Sequence, residues 1–148
     1  MSANKNIENL AIQSLFDYIK NFNEKDKDKI LNCLHFPHVA QSGQNVPNIY
    51  KSKEEIWSYL GFLLEKLETE ENWDHSTLDK VEVINSSEDV VHCNIEFNRR
   101  DKNNRSYAKA KGIFVTTKKS GRWGLQMRIM MPASDGQKML LAGDKIRQ

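Results

Sequence analysis

The stretch Val91-His92-Cys93-Asn94-Ile95-Glu96-Phe97-Asn98 alternates apolar and polar side chains without a break. A period of two sends successive residues to opposite sheet faces, so Val91, Cys93, Ile95 and Phe97 share one face and the polar set the other. The same alternation continues on both sides. Strands are predicted over 73–84, 89–98, 106–117 and 122–130. Asn85-Ser86-Ser87, Asp101-Lys102-Asn103-Asn104 and Lys119-Ser120-Gly121 separate them, and these are residues that turns favour. Four long strands joined by short turns describe an antiparallel meander.

Upstream the period changes. Ile7, Leu10, Ala11, Ser14, Leu15, Tyr18, Ile19 and Phe22 follow the three-four spacing of one helical face. A short second helix carries Ile30, Leu31 and Leu34 and is expected to end at His35-Phe36-Pro37, because the residue before a proline is pushed out of helical geometry. His38–Gln41 and Val46–Tyr50 read as two short strands, and Pro47 marks the second as an edge. Ser52 with Glu55 three residues on forms a capping box for a third helix, whose stripe is Ile56, Tyr59, Leu60, Leu63, Leu64 and Leu67. Helices followed by a meander predict an α+β domain with helices on one sheet face. One domain is expected over 1–148, with a core over about 7–131 and a tail over 132–148 that packs through Met139, Leu140 and Leu141 or stays loose.

Pairing the hairpins across their turns sets Phe97 opposite Ala108, Ile95 opposite Ala110, Cys93 opposite Gly112 and Val91 opposite Phe114. The next hairpin sets Thr116 opposite Trp123, Phe114 opposite Leu125, Gly112 opposite Met127 and Ala110 opposite Ile129. Small residues at 108, 110 and 112 leave room for a cavity or for a close helix. The preceding strand would add Trp73, His75, Thr77, Asp79 and Val81 to that face, in one of two registers its turn allows. Gln126 and Arg128 are expected to face outward with His92, Asn94, Glu96, Lys109 and Lys111.

Composition narrows the class. With 22 basic and 20 acidic residues among 148, the net charge of +2 is too balanced for a nucleic-acid footprint, and no nucleic-acid partner is expected. Arg99-Arg100 and Lys118-Lys119 adjoin turns and are expected as solvated hairpin tips. Cys33 and Cys93 stand far apart, and no Cys/His pair has metal-ligand spacing, so neither a metal nor another cofactor is expected. No run approaches the roughly 20 apolar residues of a membrane span. With no apolar leader after Met1, the expected location is the cytoplasm.

Several local motifs carry a resemblance. They are Phe22-Asn23-Glu24-Lys25-Asp26, His35-Phe36-Pro37-His38-Val39, Ser76-Thr77-Leu78-Asp79-Lys80-Val81-Glu82-Val83, Phe97-Asn98-Arg99 and Gly121-Arg122-Trp123-Gly124-Leu125-Gln126-Met127-Arg128. Together they resemble the nuclear-transport-factor-2-like (SnoaL-like, ketosteroid isomerase-type) superfamily, and most closely a bacterial subfamily that is largely uncharacterised. The resemblance implies a cone-shaped, cystatin-like α+β fold and a homodimer through the outer sheet face. It does not imply one activity, since this fold hosts isomerases, dehydratases and assembly domains. Ketosteroid isomerases of the fold need a tyrosine and two acids. By alignment those positions fall on Tyr18, Ser42 and Ala110, and residues 29–53 contain no Asp or Glu. Ketosteroid isomerase activity is therefore not expected.

The remaining candidates for chemistry are His75, Tyr18 and Asp79. Histidine titrates near neutrality and serves as acid or base. His75 and Asp79 lie four strand residues apart, about 13 Å, so they do not form a dyad. His38, Trp57, Trp73, Thr77, Cys93, Phe97, Ala108, Ala110, Gly112, Phe114, Leu125 and Met127 are the expected pocket lining. Two functions stay open: a protein that binds a small apolar or cyclic molecule in the cone, with or without acid–base catalysis, and a non-catalytic dimeric assembly domain.

Overall fold

The computed structural model describes residues 2–144. The elements run α1 (Ser2–Asn23), α2 (Lys27–Asn32), β1 (Leu34–Gln41), β2 (Asn48–Tyr50), α3 (Lys53–Glu70), β3 (His75–Ser86), β4 (Val90–Arg100), β5 (Ser106–Lys119) and β6 (Arg122–Pro132). Six strands form one sheet in the order β2-β1-β6-β5-β4-β3. The β3–β6 strands are the expected meander, and β1 joins it by pairing parallel to β6. No described helix is long and apolar enough to cross a membrane.

The helices follow their stripes. Ala11, Leu15, Tyr18 and Phe22 are the buried hydrophobic residues of α1, at steps of three or four. On α3, Ile56, Tyr59, Leu60, Leu63, Leu64 and Leu67 are buried. The Ser52 side chain accepts from the Glu55 amide, and the Glu55 carboxylate accepts from the Lys51 amide, so the cap forms as the sequence specifies. The edge assignment of β2 also holds.

The second helix ends earlier than expected. It stops at Asn32, and β1 begins at Leu34 and runs through Pro37. Pro37 terminates nothing, because an extended strand suits proline and its neighbour as well as a turn does.

Three registers differ from the sequence-based pairing. In β4–β5, Phe97 pairs with Ala110, Ile95 with Gly112, Cys93 with Phe114, and Arg99 with Ala108. The shift is two residues, so every side chain keeps its expected face. In β5–β6, Val115 pairs with Met127 but Thr116 with Leu125, which leaves Gln126 as an extra residue. Such a bulge flips the faces beyond it. Leu125 stays inside, but Arg128 and Met130 replace Met127 and Ile129 on the inner face. Arg128 is 4% exposed and Ile129 is 42% exposed. In β3–β4, Ser76 pairs with Arg99 and Leu78 with Phe97, with Asp79 as the bulged residue. His75, Thr77 and Asp79 therefore lie on the outer face, opposite the expected one.

Gly112 also has a different reason to be small. A Cβ there would stand 1.9 Å from the Ile129 carbonyl oxygen. The missing side chain admits the β6 backbone, and Gly112 does not line the inner cavity. Ala108, paired with Arg99, is the small residue beside a large inward side chain.

The segment after β6 is the expected tail, described as far as Asp144. It docks, with Leu141 and Ala142 only 1% and 2% exposed. Asn48 Nδ2 donates to the Ala142 and Asp144 carbonyls, Tyr50 Oη to the Ala142 carbonyl, and the Gly143 amide to Ser42 Oγ.

Candidate functional site

Residues of α1, α3, β3, β4, β5, β6 and the tail line a half-open cavity of about 40 Å3. Ile19, Phe22, Leu63, Phe97, Phe114, Met130, Leu141 and Ala142 give it apolar walls, and Tyr18, Ser76, Arg99 and Arg128 reach it with polar groups. Each arrives by a rule already described. Tyr18 belongs to the α1 stripe. Arg99 continues the β4 alternation by one step. Arg128 faces inward because of the bulge at Gln126.

Arg128 organises the cluster. Its Nε donates to His38 Nε2 at 3.1 Å, and its Nη1 donates to Tyr18 Oη at 2.8 Å. Its guanidinium also lies 5.4 Å from the Tyr18 ring centre, within cation–π range. His38 Nδ1 meets the Leu125 carbonyl at 3.2 Å. A carbonyl only accepts, so Nδ1 carries the proton and Nε2 presents the lone pair that Arg128 uses. Burial first, and the Arg128 charge second, hold His38 well below the ordinary histidine range. His38 is thus a neutral positioning group behind Arg128, and it does not line the cavity.

Arg99 is the second buried guanidinium, 4% exposed. Its Nη2 donates to the Leu140 carbonyl at 2.6 Å, and its Nη1 stands 3.9 Å from the Glu71 carboxylate. Burial pushes its pKa down, while the Glu71 charge opposes the shift. It is not a solvated hairpin tip. Arg128 Nη2, Arg99 Nη1 and the Tyr59 hydroxyl are buried and have no hydrogen-bond partner among the described residues. Both arginines act electrostatically on the Tyr59 phenol, whose pKa burial nevertheless raises.

Of the expected site residues, Tyr18, Phe97 and Phe114 come together at the cavity. His75 lies outside it, between Asp74 at 2.9 Å and Asn104 at 3.1 Å. On the same outer face Asp79 accepts from Thr77 Oγ1 and Asn98 Nδ2, and Arg100 lies 3.6 Å away. Those partners lower its pKa against a burial effect that raises it. Trp73 is buried beside the cavity, donating from Nε1 to Ser76 Oγ at 3.0 Å. Trp57 packs on the surface of α3 with Lys27 over its ring. Cys93 is a core thiol, pushed up to about 11 by burial. Ala108, Ala110 and Leu125 are buried but stand outside the cavity lining, as does Gly112, and Met127 faces away.

The sequence-based expectation missed Arg99, Arg128, Ser76 and Met130. For Arg99 a signal existed, since the Val91-to-Phe97 alternation leads directly to it. For Arg128 the bulge left no signal in residue type. Ser42 and Ala110, aligned with the two isomerase acids, are both buried, and Ser42 Oγ is occupied by the Gly143 amide.

The comparisons agree with this architecture. Among curated proteins none matches. Several solved structures share the fold at low identity. A cystatin-like protein of unknown function from Nostoc punctiforme is 13% identical with a TM-score of 0.67, over 86% of this chain and 92% of that one. Hexachlorocyclohexane dehydrochlorinase LinA-type3 from Novosphingobium barchaimii is 12% identical with a TM-score of 0.63, over 95% and 99%. A ketosteroid isomerase-like protein from Erwinia carotovora is 14% identical with a TM-score of 0.57, over 84% and 95%. These likenesses carry the fold alone. The family model described as NTF2-like protein (DUF6841) matches residues 8–133, and the chain belongs to that family.

Proposed function

We propose that this domain binds a small molecule inside the cone, with Tyr18, Arg99 and Arg128 as the groups that hold it. One observation carries the reading: Tyr18, Arg99 and Arg128, from three separate elements, converge on a half-open, otherwise apolar cavity. Binding is favoured over acid–base catalysis because no Asp or Glu lines the cavity among the described residues. Both ring nitrogens of the nearest histidine are also already committed. At about 40 Å3 the space suits a compact group more than a ring system, unless the 140–142 segment moves. A fragment library screened by NMR is expected to yield compounds that shift the amides of Tyr18, Phe97 and Met130 together. A library that leaves those three resonances in place would overturn the reading.

A second reading rests on the opposite side of the sheet. Ile113, Val115, Met127, Ile129 and Met131 form an apolar strip there, with Ile129 and Met131 42% and 53% exposed. We propose that a second copy of the chain covers this strip, forming a homodimer. Light scattering is expected to give twice the chain mass, and Ile129→Glu to halve it. A monomeric wild-type protein at high micromolar concentration would remove this reading.

A further inference from the structure

We infer that the cavity takes a monoanion, specifically the carboxylate of a small acid. The inference rests on the proposed binding cavity and assigns the chemistry of its occupant.

The argument is one of charge. Two guanidinium groups, each 4% exposed, reach the same cavity. A guanidinium keeps its charge in proteins. A buried charge is strongly unfavourable unless paired and hydrogen-bonded. Arg99 has a partial counterion in Glu71 at 3.9 Å. Arg128 has no acidic residue within ion-pairing distance among the described residues. Its two protein partners, His38 Nε2 and Tyr18 Oη, accept from it, and neither is a carboxylate. Two positive charges against one negative leave one to be balanced, which calls for a single negative charge.

Geometry selects the same group. Arg128 Nη2 and Arg99 Nη1 are the atoms without hydrogen-bond partners, and both belong to side chains that line the cavity. Guanidinium forks match the two oxygens of a carboxylate. The Tyr18 oxygen accepts from Arg128, and a tyrosine hydroxyl that accepts can also donate. His38 cannot compete for the site, since its lone pair is already used on Arg128 Nε. The walls of Phe22, Phe97, Phe114 and Met130 are apolar and suit the short alkyl part of an acid better than a second charge.

The test compares butyrate with butyramide, which has nearly the same shape and no charge, by isothermal titration calorimetry on the full chain. Butyrate is expected to bind at least about tenfold more tightly, the low end for charge-assisted hydrogen bonds, and to raise the melting temperature. Arg128→Met and, separately, Arg99→Gln are expected to abolish that preference, so that acid and amide bind each variant equally. Equal binding of acid and amide to the wild-type protein would overturn the charge assignment and leave the cavity reading intact. A preference for the acid that survives both substitutions would overturn it too. Failure of both compounds to bind, together with an empty fragment screen, would instead overturn the cavity reading on which it rests.

Discussion

Gly143→Val is expected to detach the tail and open the cavity while the sheet stays folded. A Cβ at Gly143 would stand 2.2 Å from the Ser42 amide nitrogen and 2.3 Å from the Gln41 carbonyl carbon. Both are backbone atoms of a paired strand and its end, and neither can yield. The tail must therefore move. Its displacement exposes Leu141 and Ala142 and breaks the hydrogen bond from Arg99 to the Leu140 carbonyl. Re-exposing one leucine and one alanine costs about 2–3 kcal/mol. Hydrogen exchange is expected to show the amides of Leu141 and Gly143 exchanging freely, with Ile95 still protected. Unchanged protection at Leu141 would show that the tail does not seal the cone.

Acid is expected to destabilise the fold well above the carboxylate range. His38 has a depressed pKa in the folded state, so the sign runs against the usual histidine ion pair. Above about pH 6.5 His38 is neutral in both states and contributes no pH dependence. Below it the unfolded chain takes up a proton that the folded chain refuses, and stability falls by about 1.4 kcal/mol per pH unit until the folded pKa is reached. His35, lowered by burial and then by Arg122 and Lys119, adds a loss in the same direction. Denaturant melts between pH 7 and 5 measure the slope. His38→Gln keeps an acceptor for Arg128 and is expected to flatten it. An equal slope in the variant would place the acid sensitivity elsewhere.

The fold was legible because its signals are local and repeated. The Val91–Asn98 alternation, the three helical stripes and the Ser52–Glu55 cap each specify one element, and the structure contains each of them. The site was legible only where alternation runs unbroken. Tyr18 and Phe97 lie on such runs. Extending β3 back from an ambiguous turn puts His75 and Asp79 inside, and the observed register puts them outside. Unbroken alternation points Arg128 outward, but one extra residue, Gln126, reverses the faces beyond it. Periodicity cannot foresee a bulge, since no residue type is required to form one. Arg99 was a different failure. Its alternation pointed inward, but its neighbour Arg100 and the following turn suggested solvent. A charge that ends an apolar alternation is a candidate for the interior.

This difference changes the chemistry assigned to the cone. The expectation of an apolar occupant followed from small residues at 108, 110 and 112. Gly112 instead admits backbone, and the wall carries two buried guanidinium groups. The account turns on whether those groups receive an anion. Buried arginines give resolved Nε–H signals by NMR, and these report the guanidinium environment directly. As butyrate is titrated, the Nε–H resonances of Arg99 and Arg128 are expected to move together and to saturate along the binding curve of the calorimetry. Resonances that stay fixed while butyrate binds would place the acid elsewhere and contradict the account.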